Sequence, residues 1–119
     1  MRCSTGFYES SDERLKDFKG SIDVDFDKLK QIPKEYFVWK SDENKQLNIG
    51  TSAQKLKEIY PELVIENEDG SLTVSYNKLS IVALKADDIL NNKCDELEKK
   101  NKELEERLNK LEILINKLN

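Results

Sequence analysis

The sequence predicts an α+β fold, with a small core of hairpins and short helices followed by a long C-terminal helix that forms a parallel coiled coil. Three observations predict it. Leucines recur every seven residues from Leu90 to Leu118, a heptad pattern. Upstream, Leu63-Val64-Ile65 and Leu72-Thr73-Val74-Ser75-Tyr76 flank Glu68-Asp69-Gly70-Ser71, which reads as a hairpin turning at Asp69-Gly70. Ahead of that hairpin, apolar residues at helical spacing alternate with an aromatic, β-rich run.

Taken in order, residues 1–10 show no periodicity and are expected to be the stub of a larger upstream segment. Ile22, Val24 and Phe26 alternate with aspartates, a strand-like period, but Phe26, Leu29 and Ile32 have helical spacing and Pro33 ends that turn. A short helix is expected from about Asp25 to Gln31. Tyr36-Phe37-Val38-Trp39 reads as a strand, and Leu47-Asn48-Ile49-Gly50 as its hairpin partner. Its aromatics are expected in core and interface packing rather than as a glycan platform. Thr51 or Ser52 can cap a helix carrying Ala53, Leu56 and Ile59, which stops before Pro61. A continuous helix is expected from near Asn77. The segments are therefore 1–10, a core over 11–80 and a coiled-coil helix over 81–119.

In the heptad register Leu90, Leu97, Leu104, Leu111 and Leu118 are d residues, and Cys94, Asn101, Leu108 and Ile115 are a residues, with Asp87 at the start. The g residues Lys93, Lys100 and Arg107 precede the e residues Glu98, Glu105 and Glu112 by five. Parallel, in-register helices bring each pair together across the interface. Each pair contributes only about 0.3–1 kcal/mol when exposed, but all three have the correct sign. Leucine at d with a lone Asn101 at a leans towards a dimer, whereas Leu108, Ile113 and Leu114 widen the stripe as a trimer requires. Residue patterns leave both open.

Composition narrows the function classes. Roughly the last 35 residues follow the heptads, leaving about 70 for a core, near the lower limit of independent stability. The hydrophobic and charged fractions are both 37%, so association is expected to supply missing burial. Net charge is −4 with the signs interspersed, which gives no footprint for nucleic acid or an anionic membrane. No run of about 18 apolar residues and no signal-peptide apolar region is present, so a soluble chain not exported by that route is expected. The two cysteines, Cys3 and Cys94, stand far apart, and the histidine count is 0. A disulfide framework, a zinc site and any histidine-dependent triad are thereby set aside. Asp23, Asp25 and Asp27 open like a calcium loop but lack its glycine and closing glutamate, so no metal and no cofactor are expected.

The chemistry-bearing segment is Ser10-Ser11-Asp12-Glu13-Arg14-Leu15-Lys16. It holds a hydroxyl and an amine five positions apart, and a serine with a neutral lysine can run acyl chemistry. Five residues do not share a helical face, so such a pair needs non-helical backbone or a subunit boundary. Ser10-x-x-Glu13 also reads as a helix capping box.

Ser11-Asp12-Glu13-Arg14-Leu15-Lys16 resembles the opening motif of the intramolecular chaperone auto-processing domains, the peptidase S74 family. These lie at the C-termini of phage tail spikes, neck appendages, endosialidases and some cellular proteins. Tyr36-Phe37-Val38-Trp39, Gly50 with Ala53-Gln54, Tyr60-Pro61-Glu62-Leu63-Val64, Asp69-Gly70 and Val74-Ser75-Tyr76-Asn77-Lys78-Leu79 are similar to its later segments, in order. Thr51-Ser52 and Lys55-Leu56 depart from the more apolar and acidic residues common around the Ala-Gln pair. The resemblance implies a homotrimer, hence a trimeric coiled coil, that assists assembly of a passenger fused upstream in cis. It implies cleavage between Ser10 and Ser11, with Ser11 as nucleophile, Lys16 as general base, and Asp12 and Arg14 shaping the dyad's surroundings. It also implies action in the host cytoplasm during virion assembly, with the released domain absent from the mature virion. The alternatives are a passive oligomerisation module with an idle serine–lysine pair, and a receptor-binding tip.

Overall fold

Asp25 opens the first helix of the computed structural model, which describes residues 9–119. Its carboxylate accepts hydrogen bonds from the N–H groups of Asp27 and Lys28 at 3.0 and 3.3 Å, donors that a helix start otherwise leaves unpaired. Helix α1 (Phe26–Gln31) ends as Ile32 takes extended backbone ahead of Pro33. Lys34 Nζ then donates to the carbonyls of Leu29 and Ile32 at 3.1 and 2.8 Å. The alternation from Ile22 to Phe26 makes no strand, because nothing among the described residues pairs with it and Phe26 enters α1. With Asp25 engaged as a cap, the aspartate series is a helix start. Among the described residues no three acidic or cysteine side chains converge as a metal site would need. The expected stub over 1–10 and Cys3 fall largely outside the described residues, which include only Glu9 and Ser10 of that segment.

Strands β1 (Glu35–Phe37) and β2 (Asn48–Gly50) pair antiparallel, with Tyr36 opposite Ile49. The first strand is shorter than expected. Val38 and Trp39 leave it because the Trp39 carbonyl turns to accept from the Asp42 N–H at 3.1 Å, and Asp42 accepts in turn from Asn44 and Gln46. The rings of Phe37 and Trp39 meet edge to face at 5.1 Å. Tyr36 and Trp39, expected in packed positions, are 70% and 62% exposed in this chain. Gly50 is where a side chain cannot be accommodated, since a Cβ there would lie 2.8 Å from Phe37 Cε1 and 3.1 Å from the Tyr76 hydroxyl.

Ser52 is the residue that caps α2 (Ala53–Ile59), accepting from the Lys55 N–H at 3.3 Å. After Tyr60 a 3-10 turn, Pro61–Leu63, leads into β3 (Val64–Glu66), which pairs antiparallel with β4 (Leu72–Val74). Gly70 has φ of +86°, a backbone that favours glycine, and Asp69 braces the turn by accepting from the Ser71 N–H and hydroxyl. Those bonds hold the Asp69 carboxyl below the usual aspartate range, the Ser71 hydroxyl being the larger cause.

Helix α3 (Tyr76–Leu118) is continuous, so Tyr76 is helical rather than the end of a strand. Ser75 caps it by accepting from the Lys78 N–H, and donates its own N–H to the Leu63 carbonyl at 2.8 Å, fixing the root of α3 to the 3-10 turn. The core is Ile32, Leu56 and Leu63, with Leu29, Ile59, Tyr60, Val64, Val74 and Leu79 packed around it, and Leu56 is fully enclosed. Ala86 is the last buried residue of α3. Beyond it the helix projects from the core, within a molecule 79 Å in its longest dimension. All nine a and d residues from Leu90 to Leu118 stand exposed in the single chain.

Leu56→Ala should cost about 2–5 kcal/mol in a urea titration, as expected for a fully buried leucine. Gly50→Ala should lower the melting temperature, and adding Phe37→Leu should restore part of the loss by removing the ring the new methyl meets.

Candidate active site

The serine–lysine segment folds as one tight turn. Asp12 lies in extended backbone and caps the 3-10 turn Glu13–Leu15, its carboxylate accepting from the Arg14 N–H at 3.0 Å. Ser10 makes no cap, because Asp12 lies next to the turn and takes that place. The Leu15 N–H reaches the Asp12 carbonyl at 3.1 Å and the Lys16 N–H reaches that of Glu13 at 3.2 Å. A 3-10 helix has three residues per turn, so the extended residues on either side return to the same edge. Lys16 Nζ there donates to Ser11 Oγ at 2.5 Å, an approach made within one chain on non-helical backbone.

Asp12 and Arg14 bind each other rather than the dyad. The guanidinium donates to both carboxylate oxygens, with Nη2 to Oδ2 at 2.7 Å and Nε to Oδ1 and Oδ2 at 3.1 and 3.2 Å. The Arg14 side chain, then its backbone N–H, holds the Asp12 carboxyl below the usual aspartate range, and Asp12 raises the guanidinium. Arg14 therefore does not stand beside Lys16 as a bare cation, its charge being matched by the Asp12 carboxylate. Ser11, Arg14 and Lys16 are exposed in the single chain. Two apolar side chains flank the pair without cover, Leu15 at 80% and Phe18 at 73% exposed.

Upstream of Ser11 the structure adds a contact that residue spacing does not reveal. The Asn77 side-chain amide, in the first turn of α3, donates to Glu9 Oε1. The two residues are 68 positions apart, beyond any local pattern. At the far end, the a and d residues named above line one face of α3, and Cys94 is a free, exposed thiol on it. No helix among the described residues is long and apolar enough to cross a membrane.

The Asp12–Arg14 pair has a defined pH signature. A depressed carboxyl contributes its stabilisation fully above the unfolded value near 3.8, and that contribution is lost as pH falls through the lower folded value. By NMR, Asp12 should titrate below ordinary aspartates, and Arg14→Ala should return it part of the way, since the backbone N–H of residue 14 still donates to it.

Comparison with known proteins adds one match. A family model described as peptidase S74, chaperone of endosialidase, matches residues 11–65, beginning at the dyad serine and ending within β3. No curated protein and no solved structure matches the chain. The likeness seen in Val74 to Leu79 and in the heptads lies beyond the matched residues. The opening hydroxyl, the Phe37–Gly50 contact and the Leu56 core all lie inside the match, so residues 11–65 are similar to the peptidase S74 family, chaperone of endosialidase.

Proposed function

We propose that the chain is an intramolecular chaperone that drives homotrimeric assembly of a protein fused upstream, then releases itself by cutting between Ser10 and Ser11. The observation that carries this reading is the Lys16–Ser11 contact, located where the family match begins. In the reaction, neutral Lys16 accepts the Ser11 hydroxyl proton as Oγ attacks the Ser10 carbonyl carbon. The C–N bond to Ser11 breaks, and its nitrogen takes the proton from Lys16 to become a free amine. The resulting Ser10 ester is hydrolysed by water, which leaves a carboxylate on Ser10 and restores the Ser11 hydroxyl. Direct hydrolysis of the peptide bond gives the same products.

Lysine is ordinarily protonated, with a reference pKa of about 10.4, so the base needs drying before it can act. Assembly is the natural source. The heptad face is uncovered, and at its upstream end Ala83, Asp87 and Leu90 join Leu29, Ile32 and Leu79 around an apolar groove of about 580 Å³. A seam that runs into a groove is suited to receive another copy of the same helix. Three copies, as the family resemblance implies, would cover Leu15 and Phe18 and enclose Lys16, making the cut report on completed assembly. The setting is the host cytoplasm during virion assembly, with the freed domain absent from the particle.

The test is intact mass and light scattering on the chain beside Ser11→Ala and Lys16→Ala. The expected result is a wild-type fragment starting at Ser11, two uncut variants and a trimer in all three. A wild type that stays trimeric and uncut with a folded passenger attached would instead identify a passive oligomerisation module.

A further inference from the structure

One hydrogen bond fastens the segment before the proposed cut to the folded module. Among the described residues it is the only hydrogen bond from residues 9–24 to any later element, and it joins Glu9 to Asn77. Its position relative to the chemistry is specific. Glu9 immediately precedes Ser10, whose carbonyl Ser11 would attack. Lys16 holds the chain on one side of the bond between Ser10 and Ser11, and Asn77 holds it on the other. A scissile bond fixed at both ends loses rotational freedom before reaction, which is the main advantage of an intramolecular nucleophile.

The surroundings of Asn77 suit an acidic side chain. It is the second residue of a 43-residue helix, whose first turn carries partial positive charge from unpaired N–H groups and is followed by Lys78. Among the described residues Ser75 accepts from the Lys78 N–H and, through its carbonyl, from that of Leu79, and the first turn of the helix keeps its attraction for an anion. Asn77 has both a donor for a carboxylate oxygen and an exposed location the leader can reach. The same helix carries the heptads, so the element that associates is also the element that grips the leader.

We infer that Asn77 is a positioning residue for self-cleavage, forming with the first turn of α3 a subsite for an acidic side chain two residues before the cut. The inference rests on the self-cleavage reading and extends it to what the upstream protein must present. It also gives the contact an end. Once the bond is cut, Glu9 belongs to a separate peptide with a new carboxylate on Ser10, and the contact no longer positions a scissile bond.

The experiment follows cleavage over time in a full chain with its passenger, comparing wild type, Asn77→Ala, Glu9→Ala, Glu9→Lys and the double alanine variant. Asn77→Ala and Glu9→Ala should each slow the cut about tenfold, the double variant no further, and Glu9→Lys at least as much as Glu9→Ala. Melting temperature and trimer mass should be unchanged in Asn77→Ala, which separates positioning from folding. Wild-type rates in Asn77→Ala, or single effects that multiply in the double variant, would overturn the inference while leaving self-cleavage standing. A wild type that never cuts, like Ser11→Ala, would end the self-cleavage reading and the positioning role with it. The contact itself is read separately in Ser11→Ala, where Glu9→Ala should move the Asn77 side-chain amide NMR signals, and unmoved signals would count against the subsite.

Discussion

The enclosure of Leu56 is the interaction on which the remaining structure depends. Three buried side chains, Ile32, Leu56 and Leu63, tie α1, α2 and the 3-10 turn together, and Val74 and Leu79 bring in β4 and the root of α3. Each fully buried aliphatic contributes roughly 1.5–3 kcal/mol, against about 1–2 kcal/mol of backbone entropy for every residue ordered. So few side chains cannot stabilise two hairpins and two short helices with any margin. The a and d residues of α3 stand exposed within one chain. On the proposed reading, the folding of the core and the pairing of the helix are energetically one problem.

The candidate site is built on the least protected part of the molecule. Its turn is held by Asp12 and Arg14, which cancel each other's charge and leave the serine and lysine facing each other across the turn's edge. In the observed contact Lys16 Nζ is the donor, and the proposed general-base role requires the proton to move the other way. On that proposal a low-dielectric surrounding has still to be supplied, and the bare Leu15 and Phe18 are suited to take part in one.

Much of this was legible in the sequence because its signals are local. Ser52 is a short polar residue ahead of apolar periodicity and caps its helix, and the spacing of Phe26, Leu29 and Ile32 located the helix that Asp25 opens. Asp69-Gly70 sets a turn with its own side-chain and backbone preferences. The heptads repeat often enough to fix a face. The pattern misled where a tertiary partner decides. Trp39 looks like a strand residue until its carbonyl is drawn into the loop by Asp42, whereas at Ile22 to Phe26 the helical spacing rightly outweighed the strand-like alternation. At the site, a spacing of five indicated a pair off one helical face but not the 3-10 turn that brings it together. The Glu9–Asn77 bond was invisible, since nothing about a lone glutamate and a lone asparagine points one to the other across the chain.

The order of elements has a consequence for synthesis. Because α3 follows the core, a ribosome has already made the leader, the dyad turn and both hairpins before the first heptad emerges. A chain broken off early contains the serine and lysine but no seam with which to join its neighbours. On the proposed reading, the helix that would join copies is made after the module it serves, so a chain broken off before α3 could be neither recruited nor matured by its siblings.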